Sequence, residues 1–197
     1  MVTSELLYLA LLGAVSLERL AELFISRRNA RRAFARGGVE VGQGHFRAMA
    51  LMHTAFLAAC ALEVLLLRRP FPGLLGFAAL GLALLAQAMR YWVIATLGEQ
   101  WNVRIIVVPG DAPVSGGPYR YLRHPNYAAV IVEIAALPLV HGAWLTALVF
   151  SALNAIVLSV RIRAEEAALG PAYAARMGGL PRLVPARRAP PERRAAP

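Results

Sequence analysis

Gly116-Gly117-Pro118-Tyr119-Arg120-Tyr121-Leu122-Arg123-His124-Pro125-Asn126-Tyr127 is the longest polar, turn-rich passage between strongly apolar segments of this chain. Three tyrosines, two arginines, a histidine and two prolines fall within it. It divides the sequence into three apolar stretches before it and an apolar hairpin after it. That division sets the fold expectation: an all-α, polytopic membrane helix bundle of about five transmembrane helices. Functional residues are expected where this stretch meets the partner run Arg161 to Leu169.

The composition supports a bundle. Of 197 residues, 58% are hydrophobic and 16% charged, and the mean hydropathy is +0.55. Both depart from a soluble domain in the membrane direction. The formal net charge of +10 is carried by arginine alone, because the chain has no lysine. Arginines clustered beside apolar spans indicate membrane orientation rather than nucleic-acid binding. Cys60 is the single cysteine, so no internal disulfide and no cysteine-based zinc set is expected. Nothing in the sequence names a metal.

Taken in order, a first span is expected from Glu5 to Ile25. About twenty residues cross a hydrocarbon core of about 30 Å. Glu18 and Glu22 share one face there with Arg19 nearby, the pattern of an interhelical or interfacial ion pair. Ser26 to Arg47 is expected as a loop whose six arginines mark it as cytoplasmic. A second span covers Ala48 to Leu67, with His53 read as a packing residue. After the Arg68–Pro72 turn, a third span runs from Gly73 to Leu97. Arg90 within it is a candidate for snorkelling or for a polar, substrate-binding cavity. Gly98 to Arg123 is a second cytoplasmic segment, with Ile105 to Val108 extended. Pro125 suits the first turn of a helix, opening a short fourth element from Asn126 to Val140. A fifth helix starts near Ala143 and continues to Leu169.

Residues 1–97 thus form a three-span scaffold, 98–180 the catalytic segment, and 181–197 a basic tail. Pro185 to Pro197 has too little apolar surface to fold alone and suits contact with anionic lipids. The arginine count puts the N-terminus outside and the C-terminus in the cytoplasm. The segments around His124 and Glu165 then share one membrane face.

Chemically, Gly116-Gly117-Pro118 permits close backbone approach. The tyrosines offer faces for a purine or a sulfonium. Glu165 can accept from an ammonium group, and Arg161 can fork onto a carboxylate. A plain i,i+4 ion pair between Arg161 and Glu165 is the bland alternative.

The run Gly117-Pro118-Tyr119…Arg123-His124-Pro125-Asn126-Tyr127 resembles the Gly-Pro-Tyr…Arg-His-Pro-x-Tyr signature of the isoprenylcysteine carboxyl methyltransferase family. Arg161-Ile162-Arg163-Ala164-Glu165-Glu166-Ala167-Ala168-Leu169 resembles that family's Arg-x-x-x-Glu-Glu-x-x-Leu, and Pro171-Ala172-Tyr173 continues it. The specific match covers Trp101 to Tyr173. The resemblance implies an integral membrane methyltransferase that uses S-adenosyl-L-methionine at its cytoplasmic face. By position, Val114, Gly117, Tyr119, His124, Pro125, Asn126, Tyr127 and Glu165 would bind the cofactor. Arg161 would face the acceptor, joined by Arg90, and His124 is the conceivable base. Asp111 stands where many members have histidine.

The front half, with Glu18-Arg19-Leu20-Ala21-Glu22-Leu23 and Ser26-Arg27-Arg28-Asn29, is similar to a bacterial branch linked to O-methylation of alkylpyrones and alkylresorcinols. A lipophilic or prenylated acceptor in the bacterial inner membrane is therefore expected, with a prenylcysteine carboxylate as an open option. Competing readings are a phospholipid amine N-methyltransferase, an NADPH-dependent sterol-type reductase and a non-enzymatic membrane scaffold.

Overall fold

The computed structural model describes residues 2–185; the remainder of the expected basic tail lies outside the described residues. Five helices dominate: α1 (Val2–Ala35), α2 (Gln43–Leu66), α3 (Leu74–Leu97), α4 (Pro125–Leu139) and α5 (Trp144–Met177). Two short strands, β1 (Val39–Val41) and β2 (Ile105–Val107), pair antiparallel with Val39 opposite Val107. The all-α membrane bundle is the fold observed. Segments of α2, α3 and α5 are each long and apolar enough to cross a membrane.

Apolar side chains point both ways, as they must where the solvent is lipid. Gly76, Ala79, Ala83 and Ala86 are buried on one stripe of α3, small enough to let α4 approach closely. Leu74, Leu75, Leu82 and Leu85 on the other faces stay exposed. Tyr8, Met52, Phe56, Cys60, Val64, Ile134 and Leu137 form the main core between α1, α2 and α4.

The fourth element reaches as far as its neighbours. Its fifteen residues extend about 22 Å, and His141 in the turn beyond stacks near Tyr8 and Phe71. The α4–α5 turn therefore lies level with the start of α1 and the α2–α3 connection. At that end Glu63 accepts from the backbone N–H groups of Leu145 and Thr146 at 3.2 and 2.7 Å, capping α5 from another helix. Arg69 balances the charge at 2.9 Å.

One expected boundary is corrected. Ser26 to Arg47 is not a loop throughout, because α1 continues to Ala35. The extension is anchored: Asn29 donates to the carbonyls of Gly98 and Trp101 at 3.0 and 2.8 Å, and Ser26 donates to Asn102 at 2.7 Å. These bonds and the β1–β2 pairing bind the two polar connections into one layer. The expected end of the fifth helix at Leu169 is borne out: Gly170 breaks it with φ 69° and ψ −162°, a conformation open to glycine, and a further helical piece follows to Met177.

The ion-pair reading of the first span holds and extends further. Arg19 lies 2.9 Å from Glu22 and 3.3 Å from Glu133 of α4, and it donates to Gln87 of α3 at 2.8 Å. Arg90 grips Glu22 in a fork at 2.5 and 2.6 Å. Charges inside apolar helices are thus neutralised across three helices.

Candidate active site

Pro118 opens a short 3-10 turn, Gly117–Arg120. Tyr119 N–H donates to the Gly116 carbonyl at 3.0 Å, and Tyr121 N–H to that of Pro118 at 3.1 Å. Gly117 sits at φ 51°, and a Cβ there would lie 2.3 Å from Thr96 Oγ1. It lines neither cavity described below, and its missing side chain lets the turn seat on α3. Gly117→Ala is expected to cost about 1–3 kcal/mol through overpacking and added backbone strain. Thermal unfolding in detergent checks this, and Thr96→Ala in the same chain should restore part of the loss.

Pro125 starts α4 as expected, and the Tyr127 and Ala128 N–H groups both reach the His124 carbonyl at 3.1 Å. This first turn stacks His124 on Tyr127, centroids 5.4 Å apart. The Tyr127 hydroxyl joins the two halves of the site. It donates to Glu165 and accepts from Arg161 Nε at 2.8 Å. Arg161 Nη2 donates to the Val103 carbonyl at 2.5 Å. Arg161 and Glu165 therefore share a phenol rather than pairing directly. Glu165 has no ion-pair partner among the described residues, while Arg161 Nη1 is buried without a hydrogen-bond partner.

Glu166, which carries no expected role, is the second hub. One residue further round α5, it faces away from Glu165. It accepts from Arg123 at 3.1 Å and from Arg182 at 3.1 and 2.6 Å, and lies 3.1 Å from His124 Nε2. The Arg123 and His124 N–H groups donate to the carbonyls of Pro181 and Arg182 at 2.9 and 3.0 Å. Leu183 packs against Tyr127, Leu158 and Ile162. Residues 181–183, expected in the tail, are instead stitched to the site. Through the Nε2 contact to Glu166, His124 braces this seam while its ring also lines the larger cavity.

Two cavities meet here. The smaller, about 200 Å³, is lined by Val114, Tyr119, Glu165 and Tyr173 and rimmed by Arg36 and Asp111, themselves an ion pair. The larger, about 490 Å³, lies among Leu20, Leu23, Met49, Leu57, Val130 and Leu158, with Arg161, Asn126, His124, Tyr127 and Arg90 in its wall. Tyr119, Arg123, Arg104 and Glu165 line both. Leu20, Ala50 and Thr54 border the larger cavity and are exposed, so it opens sideways between α1 and α2. Of the residues expected at a cofactor, Val114, Tyr119 and Glu165 line the smaller cavity. His124, Asn126 and Tyr127 line the larger one only, and Pro125 lines neither. Arg90, expected to bind substrate, lines the larger cavity with its guanidinium on Glu22. Burial, then the Glu165 carboxylate, push the Tyr119 phenol well up, which keeps it neutral beside that charge.

Residues expected to matter but missed include Arg104, which stands over the Phe46 ring at 5.4 Å and borders both cavities. Its neighbours in sequence are apolar and β-branched, so no pattern signals it.

Residues 79–171 match the isoprenylcysteine carboxyl methyltransferase (ICMT) family. The chain is also similar to the uncharacterized protein YpbQ of Bacillus subtilis, 42% identical over 160 residues, covering 81% of this chain and 94% of that protein. An uncharacterized protein of Haemophilus influenzae is 33% identical over 154 residues, covering 77% of this chain and 88% of its own length.

Proposed function

Because the chain belongs to the isoprenylcysteine carboxyl methyltransferase family, a family of membrane methyltransferases, we propose that it transfers a methyl group from S-adenosyl-L-methionine to an oxygen of a lipophilic acceptor. The acceptor is a prenylcysteine-type carboxylate or a phenolic lipid such as an alkylpyrone or alkylresorcinol. One observation carries this reading: a smaller, more polar cavity and a larger, more apolar one that opens sideways meet at Glu165 and Tyr119.

The residues present fit the cofactor. Glu165 has no direct ion pair among the described residues and is suited to an ammonium group. The neutral Tyr119 ring offers a π-face to a sulfonium, and Val114 adds apolar wall. S-adenosyl-L-methionine, when bound, supplies an electrophilic methyl group. The protein's contribution is positioning, which dominates when the leaving group is good. Arg161 Nη1 has no hydrogen-bond partner among the described residues, and Arg161 lines the cavity that would take the acceptor. It orients the acceptor oxygen and favours its ionised form. Tyr127 holds Arg161 and Glu165 in fixed relation, so acceptor and cofactor are registered by one hydroxyl. The lipid tail lies along α1 and α2 and leaves between them.

Arginine placement supports the orientation. The α1 extension carries Arg27, Arg28, Arg31 and Arg32, with Arg36 just beyond it, which favours a cytoplasmic site in a bacterial inner membrane. The test is label transfer from S-adenosyl-L-methionine into an organic extract, with a prenylcysteine and an alkylresorcinol assayed side by side. Labelling of either is the expected result. Labelling only of a phospholipid amine, or NADPH binding without retention on immobilised S-adenosylhomocysteine, would overturn it.

A further inference from the structure

The wall of the larger cavity turns polar again below the junction. His53 on α2, Arg19 and Glu22 on α1, and Arg90 on α3 all line it. Glu22 and Arg90 satisfy one another. His53 does not pair with them. Its Nδ1 lies 2.9 Å from the Met49 carbonyl, one turn back on its own helix. A carbonyl oxygen only accepts, so Nδ1 carries the proton and Nε2 is left with a lone pair. No hydrogen-bond partner meets Nε2 among the described residues. Nε2 of His53 is thus an open acceptor on a side chain that lines the cavity.

The surroundings narrow what this atom can take. Three carboxylates, Glu18, Glu22 and Glu133, gather around two guanidiniums, Arg19 and Arg90. A carboxylate ligand would meet like charge here. A plain alkyl or prenyl chain would leave the open polar atom unpaired. A neutral hydroxyl fits, donating to Nε2 of His53. Depth agrees: His53 lies seven residues beyond Phe46, about 10 Å along α2, and Phe46 marks the junction through Arg104. That span suits one aromatic ring with a hydrogen bond at each edge.

We propose that His53 forms a second polar subsite for a hydroxyl of the acceptor headgroup remote from the oxygen that is methylated. The inference rests on the methyl-transfer reading and narrows its acceptor to a dihydroxylated aromatic lipid.

The test uses the full chain in lipid nanodiscs and two matched probes: a long-chain alkylresorcinol and the meta-alkylphenol that lacks its second hydroxyl. The wild-type chain should favour the resorcinol in kcat/KM by about tenfold or more, since a site built for a hydroxyl rejects the analogue without it. His53→Leu should bring that ratio near one, and His53→Gln, which keeps an accepting oxygen, should hold it above one. S-adenosylhomocysteine affinity in each preparation reports the fold; if His53→Leu loses it, His53→Phe carries the same expectation. A wild-type ratio near one, or a ratio that survives both apolar variants, overturns the subsite. Methylation of a prenylcysteine but of neither phenol overturns the subsite and leaves the functional reading standing. Methylation of none of the three overturns both.

Discussion

Glu165→Gln will weaken S-adenosylhomocysteine binding by roughly ten- to a hundredfold, with the Tyr127–Arg161 arrangement intact. The argument begins with what the substitution keeps. Glutamine has nearly the same shape, and its carbonyl oxygen still accepts from the Tyr127 hydroxyl. It removes only the negative charge. That charge has no salt bridge among the described residues, while Glu166 beside it has partners in Arg123 and Arg182. An unpaired carboxylate in a cavity wall is costly unless a ligand cation completes it. A hydrogen bond to a charged group contributes about 1.5–3 kcal/mol, which gives the stated range in affinity. Calorimetry on the purified chain measures it directly. Unchanged affinity would show that Glu165 does not hold the cofactor, and the smaller cavity would need another occupant. Glu166→Gln is the informative contrast. It should loosen the Arg182 tether with a smaller effect on affinity, because Glu166 lines neither cavity.

The sequence exposes different parts of this molecule to different degrees, for reasons that lie in particular residues. Helices α2 to α5 are legible because long apolar runs end at turn residues: Arg68 to Pro72, Gly98, and His141-Gly142. The α1 extension is not. Its arginines resemble a basic loop, and what makes them helical is Asn29 and Ser26 docking on residues far along the chain. The site's two halves are legible because charge placement puts both on one face. The division of labour within them is not. Consecutive glutamates differ only in direction around the helix, so the separate duties of Glu165 and Glu166 emerge only once Arg123, His124 and Arg182 are placed. His124, Asn126 and Tyr127 also appear adjacent to Tyr119 in a motif that reads as one binding strip. The helix start at Pro125 turns them toward the larger cavity. Tyr119, in the preceding 3-10 turn, borders both. His53 reads as a packing residue because a lone histidine in an apolar run carries no spacing signal; its open Nε2 becomes visible only beside the cavity.

Arg161→Ala should cut acceptor kcat/KM by two to three orders of magnitude, more than it weakens cofactor binding. Three directions of the guanidinium are accounted for. Nε holds the Tyr127 hydroxyl, Nη2 holds the Val103 carbonyl, and Nη1 is buried with no partner. A buried donor on a permanent cation is expensive to leave unmet, and an oxyanion in the larger cavity would meet it. Removing an oxyanion-stabilising donor of this kind costs about 2.7–4 kcal/mol, which sets the expected loss. Some cofactor affinity should fall as well, because Tyr127 loses one of its two anchors and also bonds Glu165. Arg161→Lys separates the two contributions. An ammonium can replace one bond to Tyr127 or Val103 but cannot reproduce the planar three-way fork. It should keep more cofactor affinity than alanine while recovering little acceptor turnover. Steady-state kinetics with varied acceptor, set beside calorimetry for S-adenosylhomocysteine, checks both parts. A lysine variant with wild-type kcat/KM would show that only charge matters at this position. An alanine variant with equal losses in the two measurements would place Arg161 on the cofactor side of the junction.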